Sequence, residues 1–157
     1  SLLRQAQQLR IQTAPPHLSN FRVLSIIAYE DSKGVRHEVI GTNAEPCHLG
    51  GSICAERAAL CALRLVQDCA RVTRVVVLTD SRRPLSPGLL CLEFLSSVLD
   101  PATLVVMAGC NGSDSGAGGG AGGGDGGVVC CPLSALYSFP CFYGCTPRDE
   151  QVALGRA

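Results

Sequence analysis

The segment from Ile53 to Leu99 constrains this chain more than any other. It opens on Cys54-Ala55-Glu56-Arg57 and runs, rich in Ala and Leu, to Val66, the pattern of a well-buried helix. Arg74 to Thr79, with Val75-Val76-Val77-Leu78 at its centre, is too short and too β-branched for anything but a buried strand. Pro87 to Leu99 then returns to helix, with Pro87 near the first turn, where a missing N–H costs little. A helix–strand–helix run of this kind needs a sheet with helices packed on it, which makes the fold class α/β.

The flanks extend the same alternation. Leu2, Leu3, Ala6, Leu9 and Thr13 form a weak helical stripe, ended by Ala14-Pro15-Pro16. Phe21 to Tyr29 and Val35 to Thr42 read as strands joined by the turn cluster Asp31-Ser32-Lys33-Gly34, hence a hairpin. Thr103 to Ala108 is another strand and Val128 to Cys131 a further one, and Ser134 is placed to cap a short last helix. Residues 111–127 are mostly Gly with Ser, Asp and Ala, a composition that cannot bury enough surface to order itself. This tract lacks the Lys-Ser/Thr that completes a phosphate-binding loop, so it reads as a flexible insertion in a single domain spanning 1–157.

Composition narrows the function. The chain has 157 residues, 46% of them hydrophobic and 17% charged, enough for one sizeable core. Thirteen basic residues balance thirteen acidic ones, which leaves no electrostatic attraction to nucleic acid or to a membrane surface. No apolar run reaches the roughly 18 residues of a membrane span, and Arg4 and Arg10 interrupt the start. The sequence opens on Ser1, so a targeting peptide could have been removed upstream. Of the ten cysteines, Cys61, Cys69 and Cys130 sit in apolar stretches, where a free thiol behaves as a small hydrophobe. The expectation is a reducing compartment with mostly free thiols: cytoplasm by default, or an organelle if a leader was removed.

Five short motifs follow one another along the chain: Ser19-Asn20-Phe21-Arg22-Val23, Asn43-Ala44-Glu45, Ile53-Cys54-Ala55-Glu56-Arg57, Ser86-Pro87, and Phe139-Pro140-Cys141-Phe142-Tyr143-Gly144. In this order they resemble the cytidine deaminase family, in particular its small homotetrameric branch, which binds zinc through three cysteines. The resemblance implies a three-layer α/β/α sandwich around a five-stranded mixed sheet. The helices starting near Ile53 and Pro87 would meet at their N-termini and bring Cys54 and Cys91 together. It further implies that Cys54 and Cys91 are metal ligands and that Glu56 carries protons without touching the metal. Arg57 would offset thiolate charge. Phe21, Val23, Asn43, Glu45, Ala55 and Ser86 would bind a cytidine-like or deoxycytidine-like nucleoside, Asn43 and Glu45 through its ribose. Tyr143 would reach a neighbouring subunit's site. In such a site zinc activates a water for attack on C4 of cytosine. Helix N-termini suit the thiolates, because the dipole favours an anion there.

The departures from the pattern cluster at the metal. Gly88 stands where the second ligand belongs, Leu92 where a charge partner belongs, and Leu24-Ser25 where a small Gly-Ala pair belongs. Cys47, His48 or a water could stand in for the missing ligand. Read without the resemblance, Cys54 and Cys91 are buried apolar cysteines, Glu56 complements a helix dipole, and Asn43 and Glu45 are turn residues; His17 and His37 look like loop and strand surface. Two functions stay open: a catalytically impaired or inactive homologue with a nucleoside-binding or structural role, or an active zinc-dependent deaminase. A polynucleotide deaminase is disfavoured by the neutral charge.

Overall fold

The structure is a computed structural model and describes residues 2–47, 49–110 and 127–138. Its centre is built from the two strands with the longest buried runs. β1 (Val23–Glu30) is buried over every residue from Leu24 to Tyr29, and β3 (Arg71–Thr79) from Val75 to Thr79. Strands apolar on both faces must lie inside a sheet covered on both sides. The observed strand order is β2-β1-β3-β4-β5, with β2 at Arg36–Thr42, β4 at Leu104–Ala108 and β5 at Val128–Pro132. β3 and β4 run parallel, and the remaining neighbours are antiparallel, so the five-stranded sheet is mixed.

The period-2 alternation of the strands sorts their side chains into two cores. Leu24, Ile26, Val76, Leu78 and Ala108 face α1 (Leu2–Gln12) through Ala6. Ile27, Tyr29, Val75, Val77, Val105 and Met107 face α2 (Ala55–Leu63), α3 (Leu89–Val98) and α4 (Leu133–Leu136) through Ala59, Leu60, Leu63, Leu92, Leu95 and Leu133. This is the expected α/β/α layering. Arg10, fully buried on α1, pairs with Asp80 at the end of β3; Asp80 also accepts from Arg22 Nε at 3.0 Å and Arg22 N at 2.8 Å. At the other end, the β1–β2 turn is drawn in by Asp31, whose Oδ1 accepts from Lys33 N and Val35 N at 2.9 and 2.8 Å. Gly34 there has φ +77°, a left-handed conformation that side-chain-bearing residues resist.

Element boundaries differ from expectation where the chain enters helices. α2 starts at Ala55 with Cys54 as its N-cap residue, and α3 starts at Leu89 with Gly88 in that place, so Pro87 precedes the helix. Gly88 is extended, and the bond from Leu92 N to its carbonyl is the first of the helix. α4 begins at Leu133 after Pro132, which places Ser134 inside the helix rather than at its cap. The cysteines also depart from core filler. α2 buries Ala55, Glu56, Ala59, Leu60 and Leu63, so its helical period turns Cys61 outward; Cys130 lies exposed on edge strand β5, and Cys69 is half-buried. His17 and His37 are at the surface as expected. The insertion at 111–127 lies outside the described residues except for Gly127. Among the described residues no helix is long and apolar enough to cross a membrane.

Candidate functional site

Backbone contacts set the start of α2 before any functional side chain is considered. Ala44 and Ile53 exchange both hydrogen bonds at 3.0 Å, which pins the approach to Cys54 beside the end of β2. Gly41 on β2 lets the helix backbone come close. An added Cβ there would fall inside van der Waals contact of Ala59 N, Ala55 O and Ala58 C. A lone glycine in a strand signals such an approach, though the sequence alone did not single it out. The start of α3 is set from the other side of the parallel pair. Cys110, just past β4, donates its N–H to Ser81 O at 2.8 Å and its thiol to Asp80 O at 3.0 Å. Gly109 fits directly under the Arg82 carbonyl. The loop after β3 is therefore held as it runs through buried Pro87 to Gly88.

These constraints bring the two helix starts together. Cys54 and Cys91 have Cα atoms 7.3 Å apart, wider than an unstrained disulfide spans, and their sulfurs face one another in direct contact. Cys47, Cys61, Cys69, Cys110, Cys130 and Cys131 are free. A carboxylate oxygen of Glu56 completes a cluster with the two sulfurs, all three atoms within 4.8 Å of one another. Glu56 is buried. Desolvation raises its pKa above the usual carboxylate range, opposed by a hydrogen bond from its own N–H and by the nearby Arg57 charge. Arg57 donates from Nε to Cys54 Sγ at 3.1 Å and from Nη2 to Ser52 O at 3.3 Å. Ser52 Oγ is buried beside this contact without a partner, a feature no sequence motif announced.

Position 88 holds no side chain, and a Cβ built there would meet nothing within 4 Å. The residue is exposed, and among the described residues nothing stands where a second ligand would. Two sulfurs and one carboxylate oxygen are donors that zinc accepts, at about 2.3 Å and 2.0–2.2 Å. The residues present therefore fit a metal, with Glu56 as the third donor within reach. Cys47 is exposed and does not join this cluster, and His48 lies outside the described residues. Leu92, next to Cys91, points into the core rather than toward the cluster.

The remaining candidates gather at the same end of the sheet. Asn43, just beyond β2, accepts from Val23 N through Oδ1 at 2.9 Å and donates through Nδ2 to Phe21 O at 2.8 Å. Both arms of its amide are thus spent on the start of β1. Glu45 accepts from Ser19 N and Ser19 Oγ, each at 2.7 Å, and these bonds hold its pKa below the usual value. Phe21 and Val23 are half-buried, Ala55 is fully buried, and Ser86 is exposed with its hydroxyl on Pro87 O at 3.1 Å. Tyr143 and the segment 139–144 lie outside the described residues. A cavity of about 410 Å³ opens at the opposite end of the sheet, lined among others by Glu30, Arg36, Arg71 and Arg74. Glu30 pairs there with Arg71 at 2.7 Å and Arg36 at 3.5 Å.

No family model matches this chain, and no curated protein does. Solved structures do. The cytidine deaminase of Burkholderia pseudomallei superposes with a TM-score of 0.67 at 22% identity, covering 89% of this chain and 97% of that one. Those of Bacillus anthracis and Mycobacterium tuberculosis each give 0.56 at 18% identity; the first covers 99% of this chain and 96% of its own, the second 91% and 98%. The chain has the cytidine deaminase fold over nearly its whole length.

Proposed function

We propose that this chain is a catalytically impaired relative of the zinc-dependent cytidine deaminases, which keeps a nucleoside-binding or structural role. One observation carries the reading: with Gly88 bare, the third donor atom beside Cys54 and Cys91 among the described residues is the Glu56 carboxylate. Cys54, Cys91 and Glu56 would hold the metal. When bound, zinc supplies Lewis-acid activation of water. Glu56, buried and held toward its neutral form, is also the only acid of the cluster able to move a proton to a pyrimidine nitrogen or a leaving amine. It cannot ligate and shuttle at once, so filling the place left by Gly88 withdraws the proton carrier. That conflict is the physical basis of impairment.

The nucleoside reading draws support from the fold and from the grouping of Phe21, Val23, Asn43 and Glu45 beside the approach to Cys54. Asn43 and Glu45 now brace β1 and Ser19, so ribose contact would require them to exchange partners. Assembly as a homotetramer, or as a subunit of a larger complex, draws support from α3. Its Leu90, Phe94 and Val98 stand exposed at every fourth residue, an apolar stripe suited to burial against another chain.

Metal content of the purified protein beside a cytidine-to-uridine assay tests the reading. Substoichiometric zinc and turnover far below that of a three-cysteine enzyme are expected, with cytidine still raising the thermal midpoint. Stoichiometric zinc with brisk turnover would establish the alternative, an active deaminase in which water fills the open position.

A further inference from the structure

We propose that Asp80 is a positioning residue for the nucleoside pocket. It holds Phe21 and Val23 in place through the main chain of Arg22, from the face of the sheet opposite the cysteines. The proposal rests on the nucleoside reading above and adds to it a residue outside the motifs.

β1 lies between β2 and β3, and its ladder to β3 begins at Val23, opposite Thr79. Ahead of Val23, side chains continue the hydrogen bonding on both edges. On the β2 edge, Asn43 takes Val23 N and Phe21 O through its amide, and its own N–H donates to Val23 O at 3.2 Å. On the β3 edge, Asp80 N donates to Arg22 O at 3.1 Å, and Asp80 Oδ2 accepts from Arg22 N at 2.8 Å. Asn43 thus holds the flanking residues, and Asp80 holds the one between them.

The period of two also separates the side chains. Val23 packs with the core under α2 and α3, the helices that carry Cys54, Glu56 and Cys91. Arg22 turns the other way: its Nη1 donates to Ile11 O near the end of α1 at 3.4 Å, and its Nε to Asp80 Oδ2 at 3.0 Å. Arg10, buried on α1, occupies Oδ1 of the same carboxylate. A nucleoside lying on Phe21 and Val23 would meet their side chains and not Asp80. Without Oδ2, however, Arg22 N loses its partner and the segment loses one of its two bonds to the end of β3. The binding arrangement then falls in population, and the apparent dissociation constant rises by the inverse of the fraction that remains.

Amide hydrogen exchange of the full chain, with and without cytidine, tests this in the unaltered protein. If cytidine binds only while the Arg22–Asp80 bond is closed, cytidine at about 100 times its dissociation constant should slow exchange of the Arg22 amide about 100-fold. The Val35 amide makes a bond of the same kind at the far hairpin, to Asp31 Oδ1 at 2.8 Å, and should exchange at an unchanged rate. Variants then isolate the acceptor. Arg10→Met removes the buried charge but leaves the bond to Arg22 N, and should bind cytidine as the parent does. Adding Asp80→Ala should raise the dissociation constant about 10-fold, the rise expected when about a tenth of the molecules stay competent. Asp80→Asn in its place should restore most of the affinity, because the amide oxygen still accepts from Arg22 N. An Arg22 amide unmoved by saturating cytidine would overturn the proposal whether or not the variants fold. Equal slowing of the Arg22 and Val35 amides would do the same, since it reports only stabilisation of the whole fold. So would parent-like affinity in an Arg10→Met/Asp80→Ala protein that unfolds cooperatively. Cytidine that fails to raise the thermal midpoint of the parent would sink the nucleoside reading, and the positioning role with it.

Discussion

Gly88→Cys is the perturbation that bears most directly on the site, and the structure allows its consequences to be worked through. Gly88 has φ −65° and ψ 161°, an extended conformation open to any residue, so the substitution carries no backbone strain. Among the described residues the new Cβ meets nothing within 4 Å, so none of them has to move. Replacing glycine at a helix N-cap by a poorer cap costs up to about 1 kcal/mol. Against this small loss, the variant offers a third thiolate beside Cys54 and Cys91 and would free Glu56 from the ligand role proposed for it. Groups that merely support metal ligands change affinity by about 10–100-fold. A direct ligand should reach at least the upper end, about 100-fold or about 2.8 kcal/mol. Chelator competition in reducing buffer, comparing the parent and variant proteins at one pH, measures it directly. Cytidine turnover should rise in parallel. An unchanged zinc affinity in a variant that still unfolds cooperatively would refute the view that position 88 is the missing ligand.

Three further outcomes are expected. Gly41→Ala drives a methyl into the backbone of α2, which cannot swing aside as a side chain can, and should cost about 1–3 kcal/mol or more; urea midpoints check it, and a neutral effect would mean that the helix does not rest on β2. Arg57→Ala removes the donor to Cys54 Sγ and should weaken zinc about 10–100-fold, with Arg57→Lys recovering only part because it lacks Nε; metal titration reads this out, and unchanged urea stability would separate it from a folding defect. Glu30, Asp31 and Glu45 all have depressed pKa values, through hydrogen bonds from Arg71, His37 and Ser19 respectively. Depressed carboxylates stabilise the fold above their ordinary values of 4.5 and 3.8 and lose that contribution as pH falls through the folded values. Thermal midpoints should therefore drop below about pH 4, and Asp31→Asn should soften the decline.

Much of this protein was settled by sequence alone, wherever the deciding interactions are local. The β-branched run at Val75–Leu78 and the apolar run of β1 could only become central strands, because burial on both faces leaves no polar period to read. The order of Asn43-Ala44-Glu45, Cys54-Ala55-Glu56-Arg57 and Ser86-Pro87 pointed to the fold that the superpositions show, and the bare position 88 is a matter of identity rather than geometry. Tertiary structure decided the rest. Cys54 became an N-cap residue because the Ala44–Ile53 bridge holds the chain extended up to it, a contact between segments that no periodicity encodes. Asn43 could be singled out as a candidate, but not that both ends of its amide would be taken by the backbone of Phe21 and Val23. Cys61 looked apolar by composition and proved exposed, since its burial depends on which face of α2 meets the sheet. The meeting of Cys54 with Cys91 depends on the parallel pairing of β3 with β4, which carries α3 to the same face as α2. Local chemistry names the residues; only long-range strand pairing sets the distances between them.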